Sequence, residues 1–207
     1  MSSETPSVHV IDDDAAMRAG LDSLFRSVGY QVHLFANTND FLRSGRTNAP
    51  GCLVLDVRLP GMNGLDFQRH LAEADLTMPI VFMTGHGDIP MSVRGMKAGA
   101  VDFLPKPFRE QEMLDAVTLA LEKDNLERQQ KTQHQELQDR FQLLSTRERE
   151  VMIEVARGQM NKQIAFTLGI SEITVKIHRG NGMKKLGARS LTEFIQLAEA
   201  LKLAGNS

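Results

Sequence analysis

Apolar residues follow two regimes along this chain. Up to about residue 105, short and mostly apolar runs alternate with longer stretches whose apolar positions recur every three or four residues. The runs 8–11, 31–35, 52–55, 79–83 and 101–104 have the length and β-branched character of strands. Between the first two, residues 15–28 place Met17, Leu21, Leu24, Phe25 and Val28 at helical spacing and end before Gly29. The same spacing predicts a helix through Phe41 and Leu42, one from Leu65 to about Ala74, and one over 89–98. Five strand–helix repeats predict a doubly wound five-stranded parallel sheet, with helices on both faces because the crossovers are right-handed.

Beyond Pro107 the pattern changes. Residues 108–157 contain neither Gly nor Pro. A fifth helix is expected to pack on the sheet through Met113, Leu114, Val117 and Leu121, then to run on as a polar, Gln-rich helix. Leu119, Leu126 and Gln133 do not sustain a heptad, so a coiled coil is not indicated. From Leu144 the tail is purely helical. Ser145 with Glu148 forms a capping box opening a helix to Ala156, with Gly158 behind it. Helices over 161–168, from Ser171 to Leu186, and over 190–203 follow, separated at Gly169 and Gly187. Two short helices around a glycine turn, the second rich in Lys and Arg, match a helix-turn-helix. The expected layout is a sheet domain over 7–122, a helical linker over 123–140 and a small four-helix domain over 141–207.

Charge sharpens that division. Residues 1–125 hold 11 Lys+Arg against 17 Asp+Glu, a net of −6, whereas residues 141–207 hold 10 against 6, a net of +4. A basic rear half suits a polyanionic partner. With no Trp and few aromatics, a stacking platform for single strands is not indicated. The polar opening residues and the lack of an apolar run of membrane length lead to a cytoplasmic expectation, with no membrane partner. Cys52, the single cysteine, sits inside an apolar run and reads as a small buried hydrophobe. Met83, Met91 and Met96 read as core filler.

Asp12, Asp13, Asp56, Thr84 and Lys106 each sit at or just after an apolar run. In a parallel sheet these positions meet outside the carboxyl ends of the strands, where ligand chemistry gathers. Three carboxylates, a hydroxyl and an ammonium together suit the holding of a divalent cation beside an aspartate that accepts a phosphoryl group. A metal-dependent phosphohydrolase working through an aspartyl-phosphate is the rival from the enzyme class. The Asp12-Asp13-Asp14 run contains a D-x-D motif of that kind but has Ala16 where such enzymes have Thr or Val. Gly85-His86-Gly87 lacks the third glycine of a dinucleotide loop, and His86 is given no catalytic role.

The segments VHVIDDD, LVLDVRLPGMNG, IVFMTGHGD and DFLPKPF, in that order, resemble the receiver domain of bacterial two-component response regulators, a CheY-like, flavodoxin-like fold. LLSTREREVM, NKQIA, LGISEITVKIHR and KKLG resemble the tetrahelical LuxR-type DNA-binding domain. The phrase MTGHGDIPMSVRGMKAGAVDFLPKPF is most similar to the FixJ subgroup, which includes StyR and TodT.

This resemblance implies a transcription regulator, not an enzyme, whose Asp56 takes a phosphoryl group from a sensor histidine kinase. It implies Mg²⁺ held by Asp13, Asp56 and the carbonyl of Arg58, with Asp12 acting through a water. Thr84 and Lys106 would contact the phosphoryl oxygens, Phe103 would be the aromatic switch, and Lys106–Pro107 a cis peptide. Homodimers on phosphorylation, through the fourth and fifth helices, double-stranded promoter DNA and RNA polymerase are the implied partners. A DNA-binding protein with a vestigial receiver is a further alternative.

On the third tail helix, Thr174, Ile177, Asn181 and Lys184 share one face, flanked by Lys176, Arg179 and Lys185. The resemblance assigns base contacts to Lys176 and Ile177, and backbone contacts to Asn161, Lys162 and Thr174. Gly182 departs from the family, which has Val or Ile there. Its spacing from Val175 and Leu186 predicts an inward-facing gap in the small core, so that Gly182→Val should stabilise the domain.

Overall fold

The structure is a computed structural model describing residues 6–85 and 89–203; His86 and Gly87 lie outside it. It divides into two compact units, Met1–Arg128 and Gln129–Ser207. In the first, strands β1 (Ser7–Ile11), β2 (Gln31–Phe35), β3 (Gly51–Asp56), β4 (Ile80–Thr84) and β5 (Asp102–Pro105) form one parallel sheet in the order β2-β1-β3-β4-β5. Helices α1 (Ala15–Ser27), α2 (Thr38–Arg43), α3 (Gly64–Glu73) and α4 (Ile89–Lys97) connect the strands, and α5 (Glu110–Gln142) follows β5. The strand order reverses between β1 and β3, which opens a crevice at their carboxyl ends.

Strand alternation sorts the core into two layers. Val8, Val10, Cys52, Val54, Val81 and Met83 face Leu21 and Phe25 of α1 and Met113, Ala116, Val117 and Ala120 of α5. Ile11, Leu53, Leu55, Ile80 and Phe82 face Phe41, Phe67 and Leu71 on the other side. Cys52 is fully buried, and burial pushes its thiol well up, as expected of a core cysteine. Met83 belongs to the first layer and Met91 packs against the second, but Met96 is 44% exposed, so it fills nothing.

His9 is buried on the α2 side, its ring stacked on His33 at 5.3 Å and edge-on to Phe41. Neither of its ring nitrogens has a hydrogen-bond partner among the described residues. Burial first, then the nearby charges of His33 and Arg46, push the imidazole down to about 4.

The second unit holds α6 (Thr146–Ala156), α7 (Asn161–Leu168), α8 (Glu172–Leu186) and α9 (Leu191–Ala200). Both arms of the Ser145/Glu148 capping box form, and Gly169 and Gly187 adopt the left-handed conformation that closes α7 and α8. Val151, Met152, Val155, Ile164, Val175, Leu186 and Phe194 make the core. Leu137 joins them from the last turns of α5. Asp124, earlier on the same helix, belongs to the first unit: its carboxylate accepts the Gly51 N–H and pairs with Arg128, which donates to the carbonyls of Asn48 and Ala49. Helix α5 therefore contributes side chains to each unit.

Gly182 corrects the sequence reading. It is buried and faces inward as its spacing predicts, but no gap stands beside it. A Cβ at this position would lie 2.6 Å from Cγ and 2.8 Å from Sδ of Met152, a fully buried side chain of α6. Methionine has filled the room that valine was expected to take.

Candidate functional site

Parallel register brings the polar positions together. Ile11 pairs with Leu55, Asp56 with Met83, and Thr84 with Pro105, so Asp12, Asp56, Thr84 and Lys106 line one edge of the sheet. The three consecutive aspartates have three separate roles. Asp12 is fully buried; its Oδ1 accepts the Asp14 N–H, while Arg18 donates to its carbonyl. Asp13 is exposed. Asp14 is the N-cap of α1, accepting from Ala16 and Met17.

Lys106 is the hub of the site. Its Nζ donates to Asp12 Oδ2 at 2.7 Å and to Asp56 Oδ2 at 2.8 Å, while its backbone N–H donates to the Thr84 carbonyl at 2.6 Å. The Lys106–Pro107 peptide is cis, as the resemblance implies. Burial works against the ammonium, but the hydrogen bonds to Asp12 and Asp56 outweigh it and hold the lysine above its ordinary value. Burial is also the larger influence on Asp12, whose carboxyl stays above the usual range in spite of Lys106. Ligand atoms of Asp12, Asp13 and Asp56 lie within 4.8 Å of one another, a hard oxygen set that fits a small divalent cation.

Asp56 is oriented from both sides. Its Oδ1 accepts the Arg58 N–H at 3.0 Å, and its backbone is crossed closely by Gly64. A Cβ on Gly64 would stand 2.7 Å from the Asp56 carbonyl oxygen, so only glycine lets α3 start where it does. The turn glycines of LPGMNG were the signal for this approach, but the spacing alone does not show which of them touches Asp56. Thr84 is buried at the end of β4. Phe103 is half-buried against Phe82, with ring centroids 5.6 Å apart, and sits over Gly95 of α4.

In the second unit, Lys162, Lys176, Ile177, Asn181 and Lys184 are exposed, whereas Thr174 and Asn161 are half-buried. Thr174 is tied to the Ser171 cap, and Asn161 accepts from Arg179 across the α7–α8 turn. Lys185, read from sequence as a flanking cation, instead donates to Glu148 at 2.6 Å and to the Leu143 carbonyl. The exposed face of α8 is thus turned slightly from the one expected, and it includes Ile173, 71% exposed, which the helical spacing did not single out.

Residues 8–118 match the family of response regulator receiver domains, and residues 142–198 match the luxR family of bacterial regulatory proteins. The chain is 53% identical over 199 residues to Nodulation protein W of Bradyrhizobium diazoefficiens, covering 96% of this chain and 88% of that one. Identity to Response regulator protein TodT of Pseudomonas putida is 46% over 202 residues, covering 98% and 89%. Among solved structures, response regulator StyR superposes with a TM-score of 0.83 at 48% identity, covering 95% of this chain and 99% of that one. With the receiver fold, the acidic crevice and the basic helix-turn-helix all in place, the chain belongs to the DNA-binding two-component response regulators of the FixJ, TodT and StyR type.

Proposed function

We propose that Asp56 is the phosphoacceptor of a cytoplasmic transcription regulator, taking its phosphoryl group from a sensor histidine kinase. The Lys106 ammonium bridging Asp12 and Asp56 carries this reading, because it places a fixed positive charge beside a nucleophile that must meet an anionic donor. A carboxylate oxygen of Asp56 bonds to phosphorus as the phosphorus–nitrogen bond to the donor histidine breaks. Lys106 moves with the charge, from Asp56 to a phosphoryl oxygen, and the Thr84 hydroxyl donates to another. Asp13, Asp56 and the Arg58 carbonyl would hold Mg²⁺, with Asp12 acting through a water; when bound, the ion neutralises charge on the phosphoryl oxygens.

The receiver would span 7–122, the linker 123–140 and the DNA-binding domain 141–207. Movement of Thr84 and Phe103 on phosphorylation favours homodimers through the α4 and α5 faces, a population shift set by how strongly the phosphoryl group prefers one state. Lys176 and Ile177 read base edges in double-stranded promoter DNA, with Asn181 and Lys184 on the same helix. Asn161, Lys162 and Thr174 approach the phosphate backbone, and RNA polymerase is the downstream partner.

Incubation with Mg²⁺ and acetyl phosphate tests the acceptor. Intact-mass analysis should show one added phosphoryl group on the wild type and none on Asp56→Asn. Unchanged labelling of the Asn variant would refute the assignment.

A further inference from the structure

In its first two turns the outward side of α8 carries little that can hydrogen-bond. Val175, Gly182 and Leu186 are buried, and at about 100° per residue Ile173 and Ile177 lie almost diametrically opposite Val175. These isoleucines are 71% and 57% exposed. Gly180 adds no side chain to the same side, and a Cβ there would meet nothing within 4 Å. Lys176 stands beside this short apolar strip, and the exposed Asn181 and Lys184 continue the outward side beyond it, in a unit whose segment 141–207 carries a net charge of +4.

Cations around the strip select a polyanion, and phosphate contacts have no use for isoleucine. One polyanion presents an isolated apolar group at a fixed place: the thymine C5-methyl in the major groove of double-stranded DNA. We propose that Ile173 and Ile177 form a thymine-reading strip, so that this chain selects sites with thymines facing the first two turns of α8. Gly180 leaves the helix free to lie close to the base edges. The inference rests on α8 being the DNA-reading helix and adds to it a base preference and a residue, Ile173.

Deoxyuridine tests the strip directly, because it keeps the pairing edge and the O4 acceptor of thymine and lacks only the methyl. Duplexes selected from a random pool by the full-length, acetyl-phosphate-treated protein are resynthesised with single dT-to-dU replacements. At one or two positions the wild type should lose about fourfold in affinity per methyl, equivalent to about 0.8 kcal/mol for a buried methyl-sized group. Ile173→Ser should lose that penalty at one position and Ile177→Ser at another, with thermal melts unchanged, since both side chains are largely exposed. If the wild type prefers the selected duplex to a scrambled one yet tolerates deoxyuridine everywhere, α8 reads DNA without the strip and the proposal fails. Penalties kept in full by both serine variants overturn it equally. No preference for any selected duplex would sink the DNA-reading role of α8 as well.

Discussion

Replacing Gly182 by valine should destabilise the second unit, although the bare helical pattern argues for the opposite. Glycine inside a helix costs about 1 kcal/mol against alanine, and valine recovers only part of that because its branched side chain is itself a poorer helix former. Against this gain stands a collision. The new Cβ would lie 2.6 Å from Met152 Cγ and 2.8 Å from Sδ, and Met152 is fully buried. Cγ is the atom next to the Met152 Cβ, so the side chain cannot escape by swinging its tip; its first torsion must change inside a packed core. Overpacking of this kind costs about 1–3 kcal/mol, and the two methyls of valine put it toward the upper end. The expected net loss is about 1–2 kcal/mol, or a midpoint lower by roughly 4–16 °C for a domain of this size.

Hydrogen exchange of α6 and α8 amides in the intact protein, alongside thermal melts, reads the effect where it arises. A second variant isolates the cause. Met152→Ala alone should cost about 2–5 kcal/mol through its cavity, and adding Gly182→Val should refill part of that space, so the pair costs less than the sum of the singles. Gly182→Val with a midpoint at or above wild type, or strict additivity of the two changes, would show that Met152 does not occupy the space as described.

Three further outcomes follow from geometry. His9 has a folded pKa of about 4, below its ordinary 6.5, so the unfolded chain binds the proton first; stability should be level above about pH 6.5, fall by about 1.4 kcal/mol per unit between those values, and flatten below. Urea midpoints across pH should lose this component of the slope in His9→Val, and an unchanged slope would contradict it. The hydrogen bond from Lys185, then that from the Ser145 N–H, holds the Glu148 carboxyl below its usual range; its contribution is present above about pH 4.5 and disappears as the pH falls through its folded value. Glu148→Ala should cost about 1–3 kcal/mol at neutral pH by urea titration, through the lost cap and the abandoned lysine. Gly64→Ala should slow acetyl phosphate labelling of Asp56, because the Cβ would meet the Asp56 carbonyl oxygen at 2.7 Å and Val57 Cα at 3.1 Å, backbone that cannot step aside without moving Asp56; an unaltered labelling rate would contradict that.

The sheet and its edge were legible because both rest on local signals. Alternating apolar runs fixed the strands to within a residue or two, and a parallel sheet has a single edge at which residues following its strands can meet. Capping chemistry was equally local, which is why Ser145 with Glu148 and the terminating glycines stand where spacing puts them. What spacing could not show was which side chain from another helix arrives. Gly182 announced missing volume on α8, but only tertiary packing reveals that Met152 of α6 supplies it. Lys185 looked like a free cation until α6 placed Glu148 against it, and Leu137 looked like part of a polar linker until the tail core closed over it. Ile173 went unassigned although its spacing from Val175 already places it on the outward side, because an apolar residue there carries no charge or hydrogen-bonding group to single it out.

The close approach of Gly64 to Asp56 also sets what kind of genetic change the segment between them can absorb. At one end the Arg58 N–H is held by the Asp56 carboxylate; at the other the Gly64 N–H donates to the Val57 carbonyl at 2.8 Å, and Asn63 caps α3. The tip between these pins, Pro60 to Met62, is exposed. Substitutions at Pro60 and Met62 face solvent, whereas Gly61, at φ +89, is held to glycine by its backbone, and an inserted or deleted residue must either bulge outward at the tip or drag both pins with it. Over evolutionary time such a loop is free in spelling at its exposed non-glycine positions and fixed in length. An affinity tag or fluorophore site introduced by replacement at Pro60 or Met62 should therefore leave Asp56 in position, while the same chemistry introduced by insertion should displace it.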